Sequence, residues 1–558
     1  MGNQPVRECV TKVYKAARDG SSDLEDLLKR LKTTEQRRTA LETKTRDGSH
    51  FVTPLIIAAH NGHLNSVTIL LRYGADIEDR GTVQIADEVV KGCTPLWAAA
   101  ASGHLHVVKL FINKGAFIDL QDEDGDNALH YAVKGGHLKI VSELLALGAS
   151  QLPNDLGLTP LFYACDECFI EMVEHIINRP ECTKEQRVDA LELLGASIAN
   201  NSSGDSEKAF SYMKRGMEER YEDPAHPLLK KKMEPVEVYQ NRKESQTLEE
   251  LALLEGDDHV IGMEGLIIRE RILGSDNLAN LLKIHYRACV LADSEEYELC
   301  SGLYQRALEK KMKSDVAITL EDLTDFTAFF GIMVQKGIHL SPNLIEHFFE
   351  ALVTASKNSR EEHENEEQEI TLYCALYLLM IYIKVKGHNA NMTDFLQRFL
   401  RLNPRTNDGN TLLHLVVWHE TPIFSYDDEE LEDMMQSMCK FPCVETMKFI
   451  LHAGCDVNAV NTEGNTPLHL AVTFKPADPE EVVTLSEMLL LLLEIGADPK
   501  LANKNGQTPL DSCETDEARR ILSEKRGLSA MNVDVNHVRK PFEMLTYYNF
   551  VKLFLSPL

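Results

Sequence analysis

No run of apolar residues reaches the roughly 18 that a membrane span needs. The longest, TLYCALYLLMIYI from Thr371, stops at Lys384 and reads as a buried helix. The first residues, MGNQPVREC, lack the apolar core of a secretory signal. They also miss the myristoylation pattern, with Val6 where Ser or Thr is wanted. Neither a membrane nor export is expected. Positive charge is equally short, with 58 basic residues against 87 acidic ones and a net charge of −29. Such a surface repels a phosphate backbone, so nucleic acid is not the expected partner, whereas a basic peptide or protein surface is attracted. Twelve cysteines stand singly along 558 residues and make no disulfide framework. A reducing location, cytoplasmic or nuclear, is the expectation. Glycine-rich phosphate loops, nucleophile elbows and HExxH helices are all missing. No catalytic residue, no cofactor and no enzymatic activity are expected.

What the sequence does have is self-similarity. VTPLIIAAHNGH holds Thr53, TPLWAAAASGH begins at Thr94, NALHYAVKGGH at Asn127 and TPLFYAC at Thr159. The last two steps are close to the 33 residues of the ankyrin period. The step before them leaves about eight extra residues, a longer loop ahead of Thr94. Each Thr-Pro pair starts a helix, the hydroxyl as cap and the proline in the first turn. Ala58, Ala59, Ala99 and Ala100 let stacked helices approach closely. Gly62-His63, Gly103-His104 and Gly136-His137 turn the chain into a second helix, and Gly74, Gly115 and Gly148 end it. VYKAARDG (13–20) reads as a degenerate capping repeat. The signature returns in TLLHLVV from Thr411, GCDVNAVNTEGNTPLHLAV from Gly454 and GADPKLANKNGQTPLD from Gly496, with an acidic insertion DDEELED from Asp427.

Between the two blocks the periodicity is that of long helices. Tyr297, Cys300, Leu303, Tyr304, Ala307 and Leu308 share one face, after a helix around 286–292. The pair resembles a tetratricopeptide hairpin. SREEHENEEQE from Ser359 is a solvated loop or helix end. The fold class expected is all-α: an ankyrin-repeat solenoid at each end of a helical, tetratricopeptide-like middle. The boundaries are 1–180 for the first block of about five repeats and 181–400 for the middle. A second block of about three repeats covers 401–524, and a divergent tail 525–558.

Candidate sites are few. Cys165 and Cys168, with His175 and Cys182 downstream, have soft-ligand spacing. Cys165 nevertheless falls at a small-residue core position, so ordinary core cysteines are preferred and no metal is expected. His63, His104, His130, His137, His414 and His469 all stand at repeat consensus positions, where turn and inter-repeat hydrogen bonds explain them. Trp97, one of two tryptophans, follows a Thr-Pro-Leu turn near the concave face. Packing on the next repeat and the wall of a ligand groove are both open to it.

Several stretches together resemble the Fem (feminization-one homologue) family, nearest its B-type branch. They are VYKAARDG, TPLIIAAHNGH, TPLWAAAASGHLHVVKL, RVDALELLGASIAN from Arg187, MEGLIIRERILGSDN from Met263 and LNPRTNDGNTLLHLVV from Leu402. The segments from Arg187 and Met263 lie outside the repeats and carry most weight. The resemblance implies a substrate-recognition subunit of a cullin-RING ubiquitin ligase of the cullin-two type. Such a subunit binds C-terminal degrons, often ending in arginine, and partners elongin B/C and the cullin scaffold. A scaffold of ankyrin repeats without ligase attachment is the alternative. The family's Phe-Asp-Gly before the Trp-bearing repeat is replaced here by Ile85, Ala86 and Asp87, shifting the acid by one residue. Two repeats after that of Trp97 are also missing. By resemblance and position, Trp97, Ile85, Asp87, Asp126 and His130 are the substrate-binding candidates. The family ends in a Leu- and Cys-bearing helix for elongin C. Here RGLSAMNVDVNHVRKPFEMLTYYNFVKLFLSPL holds no cysteine, and Phe542, Leu545, Phe550 and Val551 are the adaptor-binding candidates.

Overall fold

The computed structural model describes residues 4–528 except 49, 86–87, 203, 224, 314–319, 359–364, 387–389 and 422–438. The chain forms two compact units, Met1–Asp315 and Val316–Leu558. The division therefore falls inside the segment read from sequence as the helical middle. The helices that follow the first repeats pack back on them and extend the same core.

Unit one opens with α1 (Gln4–Arg18), α2 (Leu24–Arg30) and α3 (Thr34–Glu42). Four helix pairs follow: α4 (Pro54–His60) with α5 (Leu64–Arg72), and α6 (Pro95–Ala101) with α7 (Leu105–Asn113). The others are α8 (Ala128–Lys134) with α9 (Leu138–Ala146), and α10 (Pro160–Asp166) with α11 (Ile170–Ile177). Thr94 and Thr159 accept the backbone N–H of Trp97 and Phe162 at 3.3 and 3.2 Å, and Pro95 and Pro160 occupy the first turn. The capping read from Thr-Pro is thus realised at Thr94 and Thr159, worth about 1 kcal/mol per helix. It is not realised at Thr53, whose hydroxyl has no hydrogen-bond partner among the described residues. Each turn histidine ties its repeat to the one before. The Nε2–H of His63 donates to the carbonyl of Arg18 at 2.9 Å, that of His104 to His60 at 2.9 Å and that of His137 to Ala101 at 2.8 Å. Glycine makes room for that ring: a Cβ on Gly20 or Gly103 would meet the next histidine at 2.7 Å, and both have positive φ. Gly20 behaves like the later repeat glycines, so 13–20 does the work of a capping repeat.

The extra residues before Thr94 form a hairpin. β1 (Thr45–Asp47), β2 (His50–Val52), β3 (Gly81–Ile85) and β4 (Glu88–Cys93) make one antiparallel sheet in chain order, with Gln84 opposite Val89 and a register shift at Gly81/Val83.

The unit continues with α12 (Lys184–Ile198), α13 (Ser206–Arg220), α14 (Leu248–Ala252), α15 (Asp258–Leu273), α16 (Ala279–Asp293) and α17 (Tyr297–Lys313). The last two form the hairpin expected from the spacing at 286–308. At the junction of α12, α13 and α15 lies a buried ionic lattice. Glu192, 1% exposed, receives Arg220 at 2.8 Å and is also bonded by Arg271, with Lys230 at 3.6 Å. Glu244 receives Lys230 and Arg271, each at 2.9 Å. Burial pushes the Glu192 carboxyl up, but Lys230, Arg271 and Arg220 outweigh it and hold the group below its usual range. Lys230 and Glu244 bracket a segment with one short 3-10 turn, Glu237–Tyr239, that the lattice fixes against the helices.

Unit two begins with α18 (Leu320–Gln335), α19 (Pro342–Asn358), α20 (Asn365–Lys386) and α21 (Ala390–Arg401). α20 contains the apolar run noted above, and Leu372, Ala375, Leu376, Tyr377, Leu379 and Ile381 are buried in it. By length and composition Gln368–Val385 is long and apolar enough to cross a membrane, a longer stretch than the sequence reading allowed. Here 61% of it is buried inside the unit, so other helices already cover most of its apolar surface. Repeats follow: α22 (Leu412–Val417) with α23 (Val444–His452), α24 (Pro467–Ala471) with α25 (Pro479–Ile495), and then α26 (Asp516–Leu528). Asn461 donates to the Asn410 side chain at 3.0 Å and Asn503 to that of Asn465 at 2.9 Å, a ladder across successive loops. The acidic run from Asp427 and most of SREEHENEEQE lie outside the described residues.

Candidate protein-binding face

Alanine shapes the first block. Ala58, Ala59, Ala98, Ala99, Ala100, Ala128, Ala132 and Ala164 are fully buried along α4, α6, α8 and α10, which therefore stack closely. The second helices are spaced by Val67, Leu70, Val108, Phe111, Val141 and Leu144. Small side chains on one row and large ones on the other bend the stack around the first helices, with the loops in front. On that side aromatic rings, cations and aspartates are interleaved.

Trp97 is fully buried. Its ring stacks on Tyr131 at 5.8 Å between centroids and 22° between planes, and the Arg80 guanidinium lies over the ring at 5.4 Å. The indole N–H has no hydrogen-bond partner among the described residues. Of the two roles left open by the sequence, packing on the next repeat describes Trp97 as placed. Arg80 also donates to the Gln121 carbonyl at 3.3 Å, bridging to the next loop.

That loop carries four aspartates, of which three organise the face. Asp122 accepts the Tyr131 hydroxyl and the backbone N–H of Asp124 and Asp126, the latter two at 3.0 and 2.8 Å. Burial, then Asp122 and Asp126, raise the Asp124 carboxyl. Asp126, 2% exposed, pairs with Lys134 at 2.7 Å and accepts from Asn154 at 3.0 Å. Lys134 in turn lies 5.6 Å from the Tyr131 ring and 5.3 Å from the Tyr163 ring. A cation between two aromatic faces and against a carboxylate gains from both. Here the protein's own lysine occupies that place.

His130 is fully buried beside them. Its Nε2–H donates to the Leu158 carbonyl at 3.0 Å, and Nδ1 accepts the Asn127 N–H at 3.2 Å. Burial lowers its pKa, so the ring is neutral and both nitrogens are committed. His414 and His469 repeat the pattern, donating to Asn465 and Gln507 at 3.0 and 3.1 Å. Ile85 ends β3 opposite Glu88, and Asp87 lies outside the described residues. So do Phe542, Leu545, Phe550 and Val551. The four soft-ligand candidates do not converge. The Cys165 thiol donates to the Ala190 carbonyl at 3.3 Å and Cys168 accepts Asn201 at 3.1 Å. His175 meets Ser142 at 2.5 Å, and the Cys182 thiol meets the Thr183 carbonyl at 3.6 Å. Among the described residues no three His, Cys, Asp or Glu side chains are placed to hold one ion.

Sequence reasoning missed Arg80, Asp122, Tyr131, Lys134 and Tyr163. A signal was present for two of them: Tyr131 and Tyr163 follow their helix caps, Asn127 and Thr159, by the same four residues in successive repeats.

A family model for ankyrin repeats in three copies matches residues 13–122 and 96–187. Models for many copies and for a single ankyrin repeat match 435–482 and 463–504. Both blocks are ankyrin repeats. The chain is similar to Protein fem-1 homolog C of Xenopus laevis, at 27% identity over 68% of this chain and 60% of the relative. Homolog C of Homo sapiens gives 27% over 71% and 63%. Homolog A of Danio rerio gives 29% over 56% and 52%. The chain spans about three fifths of the length of the homolog C relatives it matches. The 418 residues aligned with the human protein exceed what the ankyrin matches cover, so the likeness reaches into the helices between the ankyrin blocks. Ankyrin blocks are interaction surfaces, and the first one offers a face of bound cations, aromatic rings and acids.

Proposed function

We propose that this chain is the substrate-recognition subunit of a cullin-RING ubiquitin ligase of the cullin-two type, binding C-terminal degrons of its targets. In this reading it is a Fem-type receptor of B-type kinship, acting in the cytoplasm or nucleus and catalysing nothing itself. Ubiquitin transfer belongs to partner subunits reached through elongin B/C. The ligase role rests on the resemblance, above all on the segments from Arg187 and Met263, together with the similarity to Fem-1 homologues over more than half the chain. One observation carries the binding role: Lys134 seated between Tyr131 and Tyr163 against Asp126. That seat is chemically fit for a cation, and an incoming arginine with a planar fork competes for it better than a single ammonium. The acidic chain draws a basic end towards it.

The test is a screen of the purified full chain against a library of peptide C-termini, alongside co-purification with elongin B/C and cullin. Selection of basic ends with ligase co-purification supports the reading. Selection without ligase would leave an ankyrin scaffold, and a flat profile would remove the receptor role.

A further inference from the structure

Unit two holds a hollow of about 650 Å³ between the end of α21, the start of α22 and the loop after α23. Gln397, Arg401, Asn403, Arg405, Thr411 and Asp456 line it beside apolar residues such as Leu400, Leu412 and Leu413. Two of these are arginines without a carboxylate partner among the described residues. Arg401 is exposed on the last turn of α21, and its guanidinium makes no ion pair or hydrogen bond among the described residues. Arg405 spends one nitrogen on the carbonyls of Gly409 and Val460, at 2.9 and 2.6 Å, which fixes its fork at the wall. Asp456 lines the same hollow and accepts the backbone N–H of Asn458 at 3.0 Å. One turn back along α21, Arg398 pairs with Asp394 at 3.2 Å and with Glu350 at 3.7 Å. Acidic residues outnumber basic ones by 87 to 58, so two unpaired guanidiniums around one hollow are against the trend of the chain.

We propose that this hollow is a second binding site, distinct from the face on the first ankyrin block, and that it takes carboxylate side chains of an acidic peptide segment on a partner protein. A guanidinium fork matches a carboxylate in two parallel hydrogen bonds. Arg401 supplies a free fork and Arg405 an anchored one. The chain's net charge of −29 opposes any polyanion, a long polyphosphate and an acidic peptide alike. A short acidic segment relies on the local cations.

The experiment uses the full chain and a fluorescein-labelled, acetylated peptide of four Glu-Gly repeats, followed by anisotropy. Saturable binding is expected, weakening with added sodium chloride and falling at least tenfold in Arg401→Glu, with partial retention in Arg401→Lys. Arg401 is exposed and its guanidinium has no ion-pair partner among the described residues, so the variant should keep its thermal midpoint. Arg520→Glu, on a remote helix of the same unit, leaves binding unchanged. Amide exchange should slow at 401–405 and 453–456 when the peptide binds. Absence of saturable binding, equal binding by Arg401→Glu, or equal loss in Arg520→Glu would each overturn the site. Binding of basic peptide ends to the first block is untouched by Arg401→Glu, so the two proposals fail separately.

Discussion

The ankyrin repeats and the helices α12–α15 share one compact unit but cohere by opposite chemistry. Buried contacts between the first repeats are mainly neutral: alanine against alanine, and one histidine N–H on one carbonyl of the previous repeat. Ion pairs such as Lys109–Glu143 are left at the surface. Every partner is about one repeat away, so the contact recurs and each copy contributes modestly. In α12–α15 the joint is a set of charges taken out of water, and Glu192 meets Arg271 across 79 positions of sequence. Such a lattice adds little net stability over an apolar core, yet it is costly to break. One part of the unit tolerates wear; the other fails at a single atom.

The largest expected effect comes from that lattice. Glu192→Ala leaves Arg220, Arg271 and Lys230 short of their shared carboxylate, and should lower unfolding free energy by about 3–5 kcal/mol in urea titration. A loss below about 1 kcal/mol would mean water reaches the site. A second test works through pH. Burial, which the Asn465 carbonyl contact only partly offsets, lowers the His414 pKa to about 4. The folded state therefore resists protonation between pH 6.5 and 4 while the unfolded state accepts it. Stability present above 6.5 is lost as pH falls through that window, by up to about 3 kcal/mol. His414→Gln should flatten the slope of the thermal midpoint over that range, and an unchanged slope would remove His414 as its source.

Smaller effects sharpen the contrast. Thr159→Ala removes the cap on the Phe162 N–H and should cost about 1 kcal/mol, a typical repeat-level loss. Glu264 lies beside the lattice without an ion pair among the described residues; burial raises its carboxyl, and its Oε1 accepts the Ser245 N–H at 2.7 Å. Glu264→Gln keeps that acceptor, so its cost at pH 7 should stay within about 1 kcal/mol. A loss matching that of Glu192→Ala would show that both carboxylates are charged.

The same contrast explains what could be read beforehand. Thr-Pro caps, Gly-His turns and alanine rows are local and periodic, so the repeats and the α16–α17 hairpin were legible. The lattice was not, because Glu192, Lys230, Glu244 and Arg271 come from separate segments and nothing in spacing pairs them. At the site, Trp97, Asp126 and His130 were picked by position and lie beneath the face. The outward groups, Arg80 and Lys134, look like ordinary surface charges until the fold lays them over aromatic rings. The β3–β4 hairpin was visible only as surplus length.

The most direct measurement is calorimetric titration of the full chain with two peptides differing only in the last residue, arginine or glutamate. Binding of the arginine end alone, weakened by salt and lost in Asp126→Asn, is predicted. Equal affinity for both ends, or binding indifferent to Asp126→Asn, would contradict a cation seat on the first ankyrin block.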